Sequence, residues 1–481
     1  MSATISATRV ATLVGEFDRS PAYLGLAEAL RLLIGDGRIS LDVRLPSERS
    51  LTAALDVSRT TVTRAYAELC ESGYAEARRG SGTRTRVPGG RSRAHDRALL
   101  PMSADPDVID LNCAAPSAPP GVAAAYAEAV RELPAYLSGT GYFPLGVDGL
   151  REAIAESYAR RGVPTSPGQI MVTPGALSAA TVIAQALTRP GDRVVVESPT
   201  YPNATQALAT AGARLVPAPV DPGGWDLDAM VATVRHSSAR VTYLIPDFQN
   251  PTGHLMGDAE REALASSLSR ARTVAVIDEA HQALALDPGL AESMPRPFAA
   301  YAPDAVTIGS ASKSHWGGLR LGWIRAQEET LDALVTARVG LDLGCPVVDQ
   351  LALAHLLADD GELLAHHRAR LAEQRAALAQ AVTDLLPEWR FVLPSGGLAL
   401  WCELPRPGAL RLVQAAQERG AVVAPGSVFA VEGGLDRFVR IPWTQSPDAL
   451  RTAVQRIAAA WADLTPYPSA PTAETNRVLI A

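Results

Sequence analysis

The feature that most constrains this chain is an alternation of two kinds of segment. Short apolar runs rich in branched residues read RVVVES (193–198), VTYLIPD (241–247), TVAVIDEA (273–280), AVTIGSAS (305–312) and LGWIRA (321–326). Helical patterns such as AEREALASSLSRA (259–271) lie between several of them. This alternation predicts an α/β domain with a largely parallel central sheet. The C-terminal third predicts one long helix near 346–386 and then strand-like RFVLPSGGLALWCEL, a smaller α+β subdomain.

The totals narrow the class. An apolar share of 47 % over 481 residues is ample for more than one core. Cys70, Cys113, Cys345 and Cys402 are scattered without CxxC or metal-like spacing, so neither a disulfide framework nor a zinc site is expected. No apolar run approaches a membrane span, and the N-terminus lacks the basic start and cleavage site of a signal peptide. A soluble cytoplasmic protein without membrane contact follows as the expectation. The net charge of -7 is uneven: residues 1–100 carry 15 Arg against 11 Asp and Glu, a balance of +4 that leaves about -11 for the other 381. A mildly basic front on an acidic body suits an anion-seeking head. Arg86 to Asp107 mixes Gly, Pro, Ser and Arg without periodicity and reads as a linker. The expected organisation is a head at 21–86, a linker at 87–107, a body at 108–465 and a tail at 466–481.

Within the head, residues 45–86 read LPSERSLTAALDVSRTTVTRAYAELCESGYAEARRGSGTRTR. One helix is expected from about Ser47 to Leu55, with Leu51, Ala54 and Leu55 inward. Asp56 and Val57 make the turn, and Ser58 caps a second helix that Gly73 ends. In that helix Val62, Ala65, Tyr66 and Leu69 form the buried stripe. Its other face presents Ser58, Arg59, Thr60, Thr61 and Arg64, hydroxyls and guanidiniums suited to phosphates and guanine edges in a major groove. Arg78, Arg79, Gly80, Ser81, Gly82 and Thr83 make a basic hairpin. The LPSER start, the VSR-x-TV helix and the Gly-x-Gly hairpin resemble the GntR-type winged helix-turn-helix over about residues 21–86, with YLGLAEALRLLIGDGRI as its first helix. That resemblance implies double-stranded DNA as partner, with Arg44, Arg49, Arg59, Arg64 and Gly80 among the contacts.

In the body, one residue stands apart by chemistry. The 44 cationic side chains include a single lysine, Lys313. An amine can shed its proton and attack a carbonyl, whereas a guanidinium stays charged. Lys313 follows the strand-like AVTIGSAS, Asp278 lies near the end of TVAVIDEA, and Asn250 sits in QNPTG just past VTYLIPD. Carboxyl ends of parallel strands converge on one crevice, so the three are expected to meet there. A lysine for a Schiff base, a carboxylate for a pyridinium nitrogen and an amide for a ring hydroxyl describe a pyridoxal 5'-phosphate site. TPGALSAAT (173–181) places Gly175 and Ala176 at a helix start, where free amides favour a phosphate. Ser310 and Arg320 add donors, and Tyr201 is a candidate to stack on the ring.

The motifs YFPLGVDGLR, TPGAL, ESPTYP, QNPTG, VIDEA, SASK and GLRLGW, in this order, resemble the aminotransferases of fold type I over roughly 108–465. The resemblance implies a homodimer in which Tyr142 reaches the cofactor phosphate of the partner subunit. It also implies that Arg440, in RFVRIPW, clamps an α-carboxylate. One departure stands out: the family places a tyrosine just after the ring-nitrogen aspartate, and here Glu279, Ala280 and His281 follow, making His281 a candidate substitute. Head and body together resemble the MocR/GabR regulators. This implies a transcription regulator that holds pyridoxal phosphate on Lys313 as an internal aldimine, senses it or a small amino compound, and reads an operator with two half-sites. The alternative is a working aminotransferase with an appended head.

Overall fold

The computed structural model describes residues 4–35, 39, 43–78, 82–86, 107–358, 360–431 and 434–464. The expected linker up to residue 106 and the expected tail lie outside the described residues, as do Arg79 and Gly80.

The head has four helices, α1 (Ala7–Val14), α2 (Ala22–Gly35), α3 (Glu48–Leu55) and α4 (Arg59–Glu71), and a hairpin of β1 (Ala75–Arg78) and β2 (Gly82–Thr85). The helix starts are chemical. Ser47 Oγ accepts from the Ser50 amide at 3.2 Å, and Ser58 Oγ from the Thr61 amide at 3.0 Å. Asp56 takes a left-handed conformation and closes α3, which sets the turn into α4. Leu26, Leu30, Leu51, Val62, Ala65 and Leu69 form one core. Ala54, expected inward, is exposed: the buried stripe of this two-turn helix is only Leu51 and Leu55 wide.

The body begins with β3 (Ile109–Asp110) and continues with β4 (Ile170–Thr173), β5 (Arg193–Ser198), β6 (Arg214–Asp221), β7 (Gly224–Trp225), β8 (Val241–Leu244), β9 (Val274–Asp278), β10 (Val306–Ser310) and β11 (Gly322–Arg325). Its eight-stranded sheet has the order β4-β11-β10-β9-β8-β5-β6-β7. The inner pairs β10–β9, β9–β8, β8–β5 and β5–β6 are parallel, and the apolar runs of β5, β8, β9 and β10 are buried on both faces. β11 runs antiparallel to both β10 and β4, because the short 311–321 segment returns the chain without a crossover helix. Gly322 lets this return pack tightly: a Cβ there would stand 2.7 Å from the Gly309 carbonyl oxygen and 2.8 Å from the Ala176 nitrogen.

The smaller lobe comprises β12 (Ala399–Glu403), β13 (Ala421–Val422), β14 (Ala424–Pro425) and β15 (Phe438–Pro442), packed with helices around Trp443, Leu400 and Ile441. β3 pairs in parallel with β13, so the first described residues after the linker are fastened to this lobe. The stretch expected as one helix near 346–386 is helical over Val347–Ala358 and Asp360–Leu385, with residue 359 outside the described residues. One expectation fails here. Phe391–Pro394 is not a strand: Pro394 has no N–H to offer a ladder, and Val392 and Leu393 are exposed.

Candidate functional site

At the carboxyl ends of β8, β9 and β10 the sheet gathers a set of polar side chains. Lys313 sits in a short helix, Ala311–Ser314, that follows β10 directly. Its Nζ donates to the carbonyl of Ala114 at 2.7 Å. Burial, joined by the Arg440 and Arg320 charges, holds the ammonium below its ordinary pKa, against the opposing pull of Cys113 and Asp278. That shift favours a free amine.

Asp278 closes β9, the neighbour of β10, and its charge and that of Lys313 act on each other. Burial raises the Asp278 pKa, while two donors oppose the rise: the Tyr243 hydroxyl to Oδ2 at 2.6 Å and the Ala280 amide to Oδ1 at 2.9 Å. Tyr243 comes from β8 and is a site residue the sequence did not reveal, since it looks like any aromatic in an apolar run. Asn250 Oδ1 accepts from Arg440 Nη1 at 3.3 Å. Arg440 lies on β15, 7 % exposed, so the smaller lobe supplies this guanidinium. Its Nη2 donates to the Asn112 carbonyl at 2.5 Å, its Nε has no partner among the described residues, and its guanidinium carbon lies 4.8 Å from the centre of the Phe429 ring. Burial lowers its pKa to about 10.

Asn112–Ala114 thus give backbone carbonyls to both cations, and Thr444 Oγ1 adds a bond to the Cys113 carbonyl at 3.4 Å. Backbone contacts of this kind leave no side-chain signature in a sequence. His367, from the Asp360–Leu385 helix, is also new. Arg370 donates to its Nδ1 at 3.1 Å, so Nε2–H is the donor to the Lys313 carbonyl at 3.0 Å.

Gly175 and Ala176 open the helix Ala176–Leu187, with Gly175 at φ 90°. A Cβ on Gly175 would stand 3.1 Å from Arg320 Nη2, and that nitrogen donates to the Pro174 carbonyl at 3.4 Å. Amide ends and guanidinium therefore share one corner. Ser310 caps the lysine's helix, accepting from the Ser312 amide at 3.2 Å. Tyr201, at the start of the helix Pro202–Thr210, accepts from Asn203 Nδ2 at 3.0 Å.

His281 is buried, and burial lowers its pKa to about 4, so the ring is neutral. Its Nδ1 donates to the Phe248 carbonyl at 3.0 Å, which leaves Nε2 as an acceptor. A neutral ring in this tautomer does not donate as a tyrosine hydroxyl does. His315 is buried with Nδ1 at 2.9 Å from Ser314 Oγ, and Trp316 packs against the large-domain core. Tyr142 is 65 % exposed.

In the head, Arg44, Arg49, Ser58, Arg59, Thr60 and Arg64 are exposed and Thr61 is half-buried. Arg59 lies 3.6 Å from Glu48, the Arg64 guanidinium sits 3.7 Å over the Tyr23 ring, and Arg44 Nε lies against Gly82 of the hairpin. Ser58 and Thr61 share a hydrogen bond between hydroxyls at 2.8 Å. Of the expected wing residues, Arg78 is in β1, where it pairs with Gly82, and Arg79 and Gly80 lie outside the described residues.

Comparison with known proteins matches two families. Residues 107–457 match aminotransferase class I and II, and residues 22–85 match bacterial regulatory proteins of the gntR family. A 2-aminoadipate transaminase of Thermus thermophilus is 32 % identical over 334 residues, 68 % of this chain and 81 % of that protein. The Escherichia coli HTH-type transcriptional regulator YdcR is 29 % identical over 445 residues, covering 87 % and 94 % of the two chains. A probable rhizopine catabolism regulatory protein, MocR, of Rhizobium meliloti is 33 % identical over 263 residues, 50 % of this chain and 52 % of that one. Among solved structures, the α-aminoadipate aminotransferase LysN of Thermus thermophilus, complexed with N-(5'-phosphopyridoxyl)-L-leucine, superposes with a TM-score of 0.67 at 27 % identity, covering 77 % of this chain and 98 % of LysN.

Proposed function

Because the chain belongs to the class I and II aminotransferase family and carries a gntR-family head, we propose that it is a transcription regulator whose body holds pyridoxal phosphate and responds to an amino compound. The residues fit that cofactor. Lys313 offers a half-buried amine biased towards its neutral form, and Asp278 a carboxylate with an open lone pair for a ring nitrogen. The amide ends at Gly175 and Ala176, with Arg320 beside them and Ser310 nearby, form a corner for a phosphate. Asn250 would hold the ring hydroxyl, Tyr201 would stack on the ring, and Tyr142 would reach the phosphate of the partner subunit in a homodimer. His281 contributes an acceptor rather than a donor. When bound, the cofactor supplies an aldehyde for amine exchange and an electron sink.

One observation carries the regulatory reading. The amine and the guanidinium that would receive an amino acid are both bonded to the Asn112–Ala114 backbone. This segment follows β3, the first strand of the body, a few residues past the 87–106 stretch that leads from the head. A ligand that takes Lys313 and Arg440 competes with it, and this is the differential contact that a switch requires. A carboxylate is needed for the Arg440 half. An amino acid should therefore shift DNA affinity at about 10–100-fold lower concentration than the amine lacking that carboxylate, the worth of one charge-assisted bond pair. Fluorescence anisotropy on DNA selected by the full-length protein measures this, and equal potency contradicts it.

Arg59→Ala should weaken binding to the same DNA by about tenfold and leave cofactor absorbance unchanged, since its neighbour Glu48 belongs to the head alone. An unchanged affinity removes α4 from the interface. The operator of a dimer should contain two related half-sites. The second reading, a working aminotransferase, is favoured by the 32 % identity to a transaminase. Steady turnover of an amino acid with a keto acid, without DNA affinity, is the result that would install it.

A further inference from the structure

Glu197 lies in the body with no solvent exposure, and among the described residues no cation is bonded to it. β5 and β8 pair only as far as Val196 and Tyr243, after which the two strands separate. The Glu197 side chain fills the split. Its Oε1 accepts from Trp225 Nε1 at 2.7 Å and from the Ile245 amide at 3.2 Å, replacing the ladder partner that Ile245 lacks. Its Oε2 accepts from Gln249 Nε2 at 3.0 Å. All three partners are donors.

Gln249 is equally determined. Its amide gives its second hydrogen to the Pro199 carbonyl at 2.7 Å, while Oε1 accepts the Thr252 amide at 3.0 Å and the Thr252 hydroxyl at 2.8 Å. Flipping the amide would set its NH2 against two donors, so one orientation is possible. The pair Glu197–Gln249 therefore ties the loop leaving β5 to the loop leaving β8. The first carries Tyr201 and the second carries Asn250.

We propose that Glu197 is a positioning residue: acting through Gln249, it fixes Asn250 against Tyr201 and so sets the width of the slot that a flat aromatic ring enters. The inference rests on the cofactor reading for what fills the slot, but the loop coupling stands without it. The donor pattern calls for an acceptor on both oxygens, even though burial raises the Glu197 pKa to about 7, with the Asp278 charge adding to the rise. Glutamine at 197 keeps the shape and replaces one acceptor with an NH2 that faces the NH2 of Gln249.

The test is hydrogen–deuterium exchange of the full chain without added cofactor, followed by titration with pyridoxal phosphate read by its visible band. Glu197→Gln should speed exchange at 198–201 and 245–254 together by roughly 10–100-fold, the loss of one hydrogen bond to a charged group. It should weaken cofactor binding about tenfold in the wild-type background and less than about twofold in an Asn250→Ala background, because the effect passes through Asn250. Unchanged exchange in either loop, or additive losses with Asn250→Ala, overturns the proposal. If Glu197→Gln does not fold, Trp225→Phe removes a single donor. Milder acceleration of the same two loops then supports the proposal, and acceleration confined to 221–225 overturns it. Should the wild-type chain fail to take the cofactor, the functional reading falls, and the exchange data alone decide the role of Glu197.

Discussion

Lys313→Ala is expected to lose all covalent attachment of pyridoxal phosphate and to keep its fold and its affinity for DNA. The chain offers no second lysine to take over. What would remain is the corner at Gly175 and Arg320 proposed for the phosphate and the ring contacts proposed for Asp278 and Asn250, so residual binding should be weaker by about 100-fold, the scale of coupling that one covalent or charge-paired anchor supplies. Folding should change little. The ammonium makes one hydrogen bond, to Ala114, and burial beside Arg440 and Arg320 disfavours its charge, so removing it relieves a cost as well as losing a bond. The head has a core of its own and should read DNA as before, now without response to an amino compound. Visible absorbance and DNA anisotropy together check this. A variant that fails to fold would make the lysine structural instead.

Arg261→Ala should cause the largest loss of stability, about 3–5 kcal/mol, the usual cost of breaking a buried ion pair by removing one partner. Arg261 and Asp247 are both buried and meet at 2.7 Å. The guanidinium also donates to the carbonyls of Met256 at 2.8 Å and Arg296 at 3.1 Å, so its loss strands three acceptors. Asp247 has a second oxygen already without a protein partner, and its charge also acts on buried Glu279. An uncompensated carboxylate there lies three residues from Asn250, so cofactor affinity should fall along with the urea midpoint of the body transition. Arg261→Met with Asp247→Asn should recover much of the loss, because neither charge is then buried alone. A loss below about 1 kcal/mol for the single variant would mean that water reaches Asp247.

The parallel centre of the sheet was legible because β5, β8, β9 and β10 are runs buried on both faces, a pattern that surface strands do not produce. The crevice at their carboxyl ends followed from topology, and there Asp278 ends β9 while Lys313 lies just past the end of the adjacent β10. β11 has the same composition as its neighbours, so its reversed direction was not legible; direction depends on the connection, not on the run. Tyr243, Glu197, Gln249 and His367 were missed for a common reason. Each acts on another site residue through one hydrogen bond, and the partners lie 35, 52 and 54 positions apart in the chain. The Asn112 and Ala114 carbonyls were beyond any reading of side chains. His281 shows the opposite case, visible as the departure from a tyrosine while its role as an acceptor depended on the Phe248 carbonyl.

The most direct test incubates the full-length protein with pyridoxal phosphate, reduces it with borohydride, and maps the modified peptide by mass spectrometry. One phosphopyridoxyl group per chain is expected, on Lys313. Reduction that leaves Lys313 unmodified, or labels only the N-terminal amine, contradicts it.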